Sequence, residues 1–419
     1  MVFPFEVIEH TIPAQHIREW PRATAVSQER TLQLCIKQYK PIDNPEPQPG
    51  DVTEVYEALW TELHARAQKH GFRIRAIWIA DAAHQGHSGV LNEGSIGNDP
   101  SWYDHARDLL YMTNAFRDDM PQPIVGIGHS FGGSVLTHLS LMHARLFTAL
   151  VLFDPIIMMM SLNQTGAILG ARMSAVRRET WPTREAAAES FRRSPFHKSW
   201  DTRVLDAYIA HGIRDLPAST ASGEAGKAAL TTPRDQEVFT FFRPLYPYVG
   251  DDGAVDRDGA PDFDPTMNDK PHKGQPFPFY RSEGSSVLAR LPHVRPSVLW
   301  VYGEKSDVNL PPSARSENVK ACGTGPDGSG GVQAGKVAEV VIEGRGHLFP
   351  LEVPDLCAEH AAAWVGKEIQ RYRKAQLEYE DWTHLPLRDK VTISPEFAKA
   401  LGRPSLKKPR NKSSTRSKL

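Results

Sequence analysis

Cysteine is scarce in this chain: Cys35, Cys322 and Cys357 are the three among 419 residues, an odd number without a Cys-x-x-Cys pair. A disulfide framework and a cysteine-held zinc site are therefore not expected, and a reducing compartment fits better than secretion. Excess charge is missing as well. With a net charge of -1 and a pI near 7.0, the body of the protein has no electrostatic footprint for nucleic acid. No apolar run approaches the ~18 residues that a membrane-spanning helix needs. The first residues, Met-Val-Phe-Pro-Phe-Glu, lack the basic and then apolar stretches of a signal peptide. A phosphate-cradling motif is absent too: in the glycine-rich stretch from Gly323 to Gly335, Gly335-Lys336 runs into Val337, the wrong spacing for a P-loop. That stretch reads as a mobile connection, and neither a cofactor nor a metal is expected. What the chain has is core material, with 40% hydrophobic and 9% aromatic residues, enough for a large buried interior.

The strongest signal lies at 123–137. The apolar run Ile124 to Ile127 ends in Gly128-His129-Ser130-Phe131-Gly132, and small residues lead into a helical pattern carrying Val135, Leu136 and Leu139. This is the strand, sharp turn and helix of a nucleophile elbow. The turn strains Ser130 and tolerates only small neighbours, room that Gly128 and Gly132 are expected to supply. The competing reading is a plain glycine turn, so the motif needs a base and an acid placed later in the chain.

Around it the chain alternates strands and helices. Residues 5 to 12 and 31 to 39 read as strands, and prolines 41, 45, 47 and 49 make a linker. A helix capped by Asp51 or Thr53 should run to about Lys69, followed by a strand from Arg73 to Ala80 and a loop from Asp81 to Asn98. Asp99-Pro100 should open the next helix. After the elbow come strands at 150–153, 298–302 and 338–342 and a closing helix from about Asp355 to Tyr379. The fold class is α/β: a mostly parallel sheet with helices on both faces. The stretch from 156 to 290 breaks the rhythm and reads as an inserted cap over the sheet's carboxyl edge. The expected divisions are a core in two parts, 1–155 and 291–402, the cap at 156–290, and a disordered tail at 403–419. In the tail, seven Lys or Arg and no acid are mixed with Pro, Ser and Asn, a composition that does not fold. It ends in Ser417-Lys418-Leu419, the tripeptide read by the peroxisomal import receptor, which makes that receptor a partner and the peroxisomal matrix the expected location.

His347, in Gly344-Arg345-Gly346-His347 past the last strand, stands where a general base belongs. Two carboxylates compete for the acid. Asp154 ends the strand after the elbow helix and is preferred. Asp307 follows the penultimate strand one residue later than the common Gly-x-x-Asp spacing, which places Ser306 there. For an oxyanion hole the Phe131 N–H supplies one donor. A second is expected from a loop before the first helix, but Gly50-Asp51-Val52-Thr53 runs directly into Glu54-Val55-Tyr56.

The segments Trp78 to Gly86, Asp99 to Leu110, Gly126-Ile127-Gly128-His129-Ser130, Phe153-Asp154-Pro155 and Gly344 to Leu348 resemble the fungal peroxisomal α/β-hydrolases, a family that includes hydrolases of toxin gene clusters and is related to the yeast peroxisomal lipase. The resemblance implies the α/β-hydrolase fold. It also implies a Ser-His-Asp hydrolase in lipid or secondary metabolism, acting on a hydrophobic acyl ester or thioester, with Ser130, His347 and Asp154 matching family positions. The family pattern carries a strand and a His-Ala-Asn-Gly-like loop between the equivalents of Thr53 and Tyr56, and this chain lacks both. That departure leaves open a hydrolase-fold binding protein without turnover. Epoxide opening is a further alternative, less suited to a serine nucleophile. The run Ile156-Ile157-Met158-Met159-Met160 is read as core or as the wall of an acyl pocket.

Overall fold

The computed structural model describes residues 3–44, 57–158, 165–217, 226–243, 256, 258–259, 281–306, 308 and 312–402, with side chains between 165 and 169 left aside. The chain forms two compact units, Met1–Ile369 and Gln370–Leu419.

In chain order the first unit contains β1 (Phe5–Pro13), β2 (Gln33–Pro41), α1 (Glu57–Ala67), β3 (Ile77–Ala80), α2 (Gly86–Leu91), α3 (Trp102–Ala115), β4 (Val125–His129), α4 (Phe131–Met142) and β5 (Ala149–Phe153). Then come α5 (Thr165–Val176), β6 (Thr180–Trp181), α6 (Arg184–Arg193), α7 (Thr202–His211), β7 (Ile213–Asp215), β8 (Ala228–Leu230), α8 (Arg234–Phe241) and α9 (Ser282–Arg290). The unit ends with β9 (Ser297–Gly303), α10 (Pro312–Ala321), β10 (Val337–Ile342), α11 (Phe349–Glu352) and the start of α12 (Pro354–Thr383).

β4, β5, β9 and β10 form a parallel ladder in the order β10-β9-β5-β4. Period-2 alternation explains why both faces are covered. Along β5, Leu150 and Leu152 enter one core with Trp102, Ala106, Val135 and Leu139 of α3 and α4. Val151 and Phe153 enter the opposite core with Leu59 and Trp60 of α1 and Ala358, Ala361 and Val365 of α12. β9 splits its side chains the same way: Val298, Trp300 and Tyr302 go to the first core and Leu299 and Val301 to the second.

β1, β2 and β3 make a separate antiparallel ladder. β3 and β4, with the residue before β4, contribute to the same two cores, Trp78 with Ile124 in one and Ile77 with Val125 and Ile127 in the other. Even so, no ladder joins these two strands among the described residues. Residues 45–56, which include the stretch from Thr53 to Tyr56 where the family pattern carries its additional strand, lie outside the described residues.

Several elements differ from the sequence reading. Helix α3 starts at Trp102 rather than at Asp99-Pro100, because Ser101 caps it by accepting from Tyr103 N–H at 3.1 Å, as a short hydroxyl side chain at this position does. Asp99 is occupied instead by a two-pronged ion pair with Arg243, both bonds at 2.9 Å. The loop after β3 contains a helix, α2, whose first turn is held by Asp81 Oδ2 accepting from His87 N–H at 2.8 Å. The glycine-rich stretch is not a loose connection. Gly323, Ser329 and Gly325 donate to the carbonyls of Leu291, Val294 and Pro292 at 2.8–3.0 Å, and Gly323, Gly330, Gly331 and Gly335 adopt the positive φ that this tight folding requires.

Elements between β5 and β9 carry a small core of their own: Trp181, Ala187, Phe191, Ile209, Ile213, Ala228 and Leu230. Charged pairs tie this insertion to the rest of the first unit, with Arg214 on Glu93 at 2.8 and 2.9 Å and Arg203 on Glu62 at 2.6 Å. In the second unit, α12 finishes and is followed by α13 (Leu387–Val391) and α14 (Pro395–Ala400), the latter capped by Ser394 Oγ accepting from Phe397 N–H at 3.2 Å. No described helix is long and apolar enough to cross a membrane.

Candidate active site

Ser130 sits between β4 and α4 at φ 55°, ψ -125°, a left-side conformation costly for a residue with a Cβ. The surroundings over-determine it. Ser130 N–H donates to Phe153 O at 2.9 Å, and its carbonyl accepts from Gly133 N–H and Ile156 N–H, both at 3.1 Å. Strand and helix cross closely here: a Cβ on Gly128 would lie 2.7 Å from the backbone of Gly132, and one on Gly133 would lie 2.7 Å from Pro155 Cβ. Gly132, expected to supply room, faces open space instead; the second obligatory glycine is Gly133. Gly128→Ala is therefore expected to cost at least about 2 kcal/mol by overpacking. Gly132→Ala should be neutral or stabilising by up to about 1 kcal/mol, because alanine is the better helix former. Urea unfolding of the two variants checks this contrast.

Sequence-distant groups converge on Ser130. His347 Nε2 lies 2.9 Å from Ser130 Oγ, and His347 Nδ1 lies 2.6 Å from Asp154 Oδ2. Asp154 is fully buried. It follows β5 directly, at φ 45°, with its N–H donating to Val301 O at 2.7 Å. Burial alone would raise its pKa, but hydrogen bonds from His347 and Ser306 and the nearby imidazoles more than offset this, so the carboxyl is held below its ordinary value. Ionised Asp154 accepts a hydrogen bond from Nδ1–H, which leaves Nε2 free to accept from the Ser130 hydroxyl. Asp307, the other candidate acid, lies outside the described residues.

His347 is carried on a loop, yet the loop is tied down. Lys305 N–H donates to Arg345 O at 2.8 Å and Glu304 N–H to Ile342 O at 3.0 Å. Gly303 packs so closely that a Cβ would lie 2.6 Å from Gly346 O. His129, the middle residue of Gly128-His129-Ser130, donates through Nε2 to His347 O at 2.9 Å. Burial, and then the adjacent His347, push the His129 pKa down to about 3, so it stays a neutral donor. This contact was not anticipated from the sequence, where the histidine before the serine had no assigned partner.

Phe131 opens α4, so its N–H is among the helix-start donors without an intrahelical acceptor, beside the Ser130 hydroxyl. The stretch from Gly50 to Tyr56, where a second oxyanion donor is sought in the sequence, lies outside the described residues. Ile156, Ile157 and Met158 are buried in the core that holds Leu150 and Trp300; Met159 and Met160 lie outside the described residues.

Buried histidines set an acid limit on the fold. Burial lowers His84 to about 3, His105 to about 4, and His138 to about 4, as it does His129. Above pH ~6.5 these groups are neutral both folded and unfolded, and they cost nothing. As pH falls below that value only the unfolded chain takes up protons, and each histidine destabilises the fold by about 1.4 kcal/mol per pH unit until its folded pKa is reached. Asp104, raised by burial to about 6, and Asp81, also raised by burial, work in the opposite direction but are two carboxyls against four imidazoles. The urea midpoint is therefore expected to drop steeply between pH 6.5 and 5. An unchanged midpoint would contradict the neutral burial of these rings.

Comparison with known proteins bears on the family and the fold. A model of the family described as "Alpha/beta hydrolase family" matches residues 50–360. The chain is 38% identical over 410 residues to the type I acyl-CoA thioesterase mpaH' of Penicillium brevicompactum, covering 90% of this chain and 91% of that one. It is 31% identical over 253 residues to the abhydrolase domain-containing protein AFT2-1 of Alternaria alternata, covering 59% of this chain and 85% of that one. Among solved structures, the peroxisomal α/β-hydrolase Lpx1 of Saccharomyces cerevisiae matches with a TM-score of 0.65 at 16% identity, covering 93% of this chain and 99% of the other, a likeness of fold.

Proposed function

Because the chain belongs to the α/β-hydrolase family, we propose that it is a serine hydrolase that cleaves the thioester of a hydrophobic acyl group, in secondary metabolism. The observation that carries the reading is the continuous hydrogen-bonded line from Ser130 Oγ through His347 to buried Asp154. The choice of thioester over ester follows the name of the Penicillium relative.

In this mechanism Ser130 Oγ attacks the thioester carbonyl while His347 Nε2 takes its proton. The Phe131 N–H stabilises the oxyanion. Asp154 holds the imidazolium through Nδ1–H. Collapse breaks the carbon–sulfur bond, the thiol leaves with the proton from Nε2, and an acyl-Ser130 ester remains. Water, deprotonated by the same nitrogen, attacks the ester and releases the carboxylic acid, and Ser130 regains its proton. We assign the insertion at 156–290 the role of a cap that shapes the acyl site, and the peroxisomal matrix as the location, on the strength of Ser417-Lys418-Leu419. A fusion with a fluorescent protein at the N-terminus should enter peroxisomes, and deletion of Leu419 should leave it outside.

Release of thiol from medium-chain acyl-CoA esters tests the chemistry. Turnover lost on Ser130→Ala supports it, whereas turnover that survives the substitution contradicts it. The direct passage from Gly50-Asp51-Val52-Thr53 into Glu54-Val55-Tyr56, without a loop for a second oxyanion donor, favours a second reading, a hydrolase-fold binding protein without turnover. Absence of Ser130 labelling by a fluorophosphonate probe would select that one.

A further inference from the structure

Ser306 lies three residues after Gly303, at the end of Gly303-Glu304-Lys305-Ser306, the spacing at which hydrolase chains commonly carry their acid. Here the position holds a hydroxyl, and that hydroxyl is not idle. Ser306 Oγ donates to Asp154 Oδ2 at 2.5 Å, onto the same oxygen that accepts from His347 Nδ1 at 2.6 Å. The other carboxylate oxygen, Oδ1, accepts from Gly303 N–H at 3.3 Å. Ser306 is itself buried, and its N–H donates to Gly303 O at 3.2 Å. The turn after β9 thus approaches the carboxylate with two donors, one to each oxygen.

We infer that Ser306 is a positioning residue for the hydrolytic site: its hydroxyl fixes the rotation of the Asp154 carboxylate so that Oδ2 stays in line with His347 Nδ1. The inference rests on the proposed roles of Ser130, His347 and Asp154. Asp154 needs such a brace because of its origin. A side chain on the residue that directly follows β5, with the backbone at positive φ, reaches the imidazole from a different strand than the usual acid does. The Gly303 N–H contact, long at 3.3 Å, is the weaker of the two restraints. A charged acceptor in a buried site makes a hydrogen bond strong enough to select one rotamer. Ser306 touches neither the reacting atoms nor the imidazole, so its effect passes entirely through Asp154.

Three variants and one spectroscopic readout test this in the full-length chain. Ser306→Ala should lower kcat for acyl-CoA cleavage by about 10- to 150-fold, the range for removing a hydrogen bond to a charged group, with KM unchanged. Ser306→Thr, which keeps the hydroxyl, should restore kcat to within about threefold of the original. In an Asp154→Asn background, Ser306→Ala should change kcat by less than about twofold, because the residue acts through the group already lost. Equal losses in both backgrounds, or failure of the threonine to rescue, would overturn the inference. The low-field NMR signal of the His347 Nδ1 proton, identified by its loss in Asp154→Asn, needs no turnover. It should shift or broaden in Ser306→Ala and stay in place in Ser306→Thr. If the wild-type chain proves inactive while that signal responds, the hydrolase reading fails and the brace stands; if the signal is unmoved by Ser306→Ala, the brace fails whatever the activity.

Discussion

Ser130→Ala is expected to reduce kcat for thioester hydrolysis by about a million-fold and to abolish labelling by a fluorophosphonate, with little change in the urea midpoint. The magnitude follows from the cooperative nature of such a site: nucleophile and base act as one unit, so losing either forfeits nearly the whole covalent route, ~10⁶ in a serine hydrolase. The bonding here has that form. Nε2 of His347 has Ser130 Oγ as its partner at 2.9 Å, and Nδ1 is engaged by Asp154 at 2.6 Å. His347→Ala should therefore cost about as much as Ser130→Ala, and the double variant scarcely more than either. Asp154→Asn should be milder, about 10⁴, since the imidazole remains but is held in the wrong tautomer. Steady-state kinetics on one acyl-CoA substrate across the four variants checks the pattern. Additive losses would mean that the three side chains do not work as a chain.

The second large effect is on stability. Arg281 is 0% and Glu283 1% exposed. Arg281 Nη1 donates to Glu283 Oε1 at 2.9 Å and to Pro100 O at 2.8 Å, and Nη2 contacts Phe239 O. Glu283 Oε1 also accepts from Ser101 Oγ at 2.9 Å and Trp102 N–H at 3.0 Å. The pair therefore joins α9 to the start of α3. Burial would raise the Glu283 pKa, but Arg281 overrides this and keeps it below the ordinary carboxylate value. Arg281→Met leaves a buried carboxylate without its cation, and the expected cost is about 3–5 kcal/mol. Removing both charges with Arg281→Met and Glu283→Leu should recover much of that, because a buried ion pair contributes little net stability over apolar residues of similar size. Urea unfolding of the single and double variants at pH 7 measures it. A double variant less stable than Arg281→Met alone would show that the pair contributes more than the desolvation it costs.

What could be read from the residues depended on whether the signal was local. The strand and helix around Ser130, the buried alternation of β5 and β9, and the His347 loop are each written in a short window. Each was legible because burial on two faces and a sharp turn restrict which residues a window can hold. Asp154, the proposed acid, was half legible: Phe153-Asp154-Pro155 marks a strand end, but only the converging geometry shows which oxygen meets Nδ1. Ser306 carried a usable signal, a hydroxyl at the spacing common for an acid, yet its role depends on a partner 152 residues away. Arg281 and Glu283 gave no signal, since two opposite charges two residues apart ordinarily sit on a solvated surface. The reading assigned to Gly132 the close approach that Gly133 makes, because which glycine faces the crossing segment depends on the helix phase after a strained turn. The helix α2, six residues long, is too short to show a periodicity.

Ser130 and Asp154 leave β4 and β5 at neighbouring positions of one ladder, with His129 opposite Phe153 in register, whereas His347 comes from a loop. The distance between the proposed nucleophile and the proposed acid is thus a matter of strand register, which is discrete: a slip of one residue would move one group past the other by about 3.3 Å and break the hydrogen-bonded line outright. The proposed base is placed differently, by hydrogen bonds from Lys305 N–H to Arg345 O and from His129 to His347 O, and bond lengths are a continuous coordinate rather than a discrete one. Evolutionary or engineered tuning of this site therefore has one graded coordinate, the contacts that hold the segment from Gly344 to Leu348. Changes there should grade activity, while changes to the pairing of β4 with β5 should switch it off.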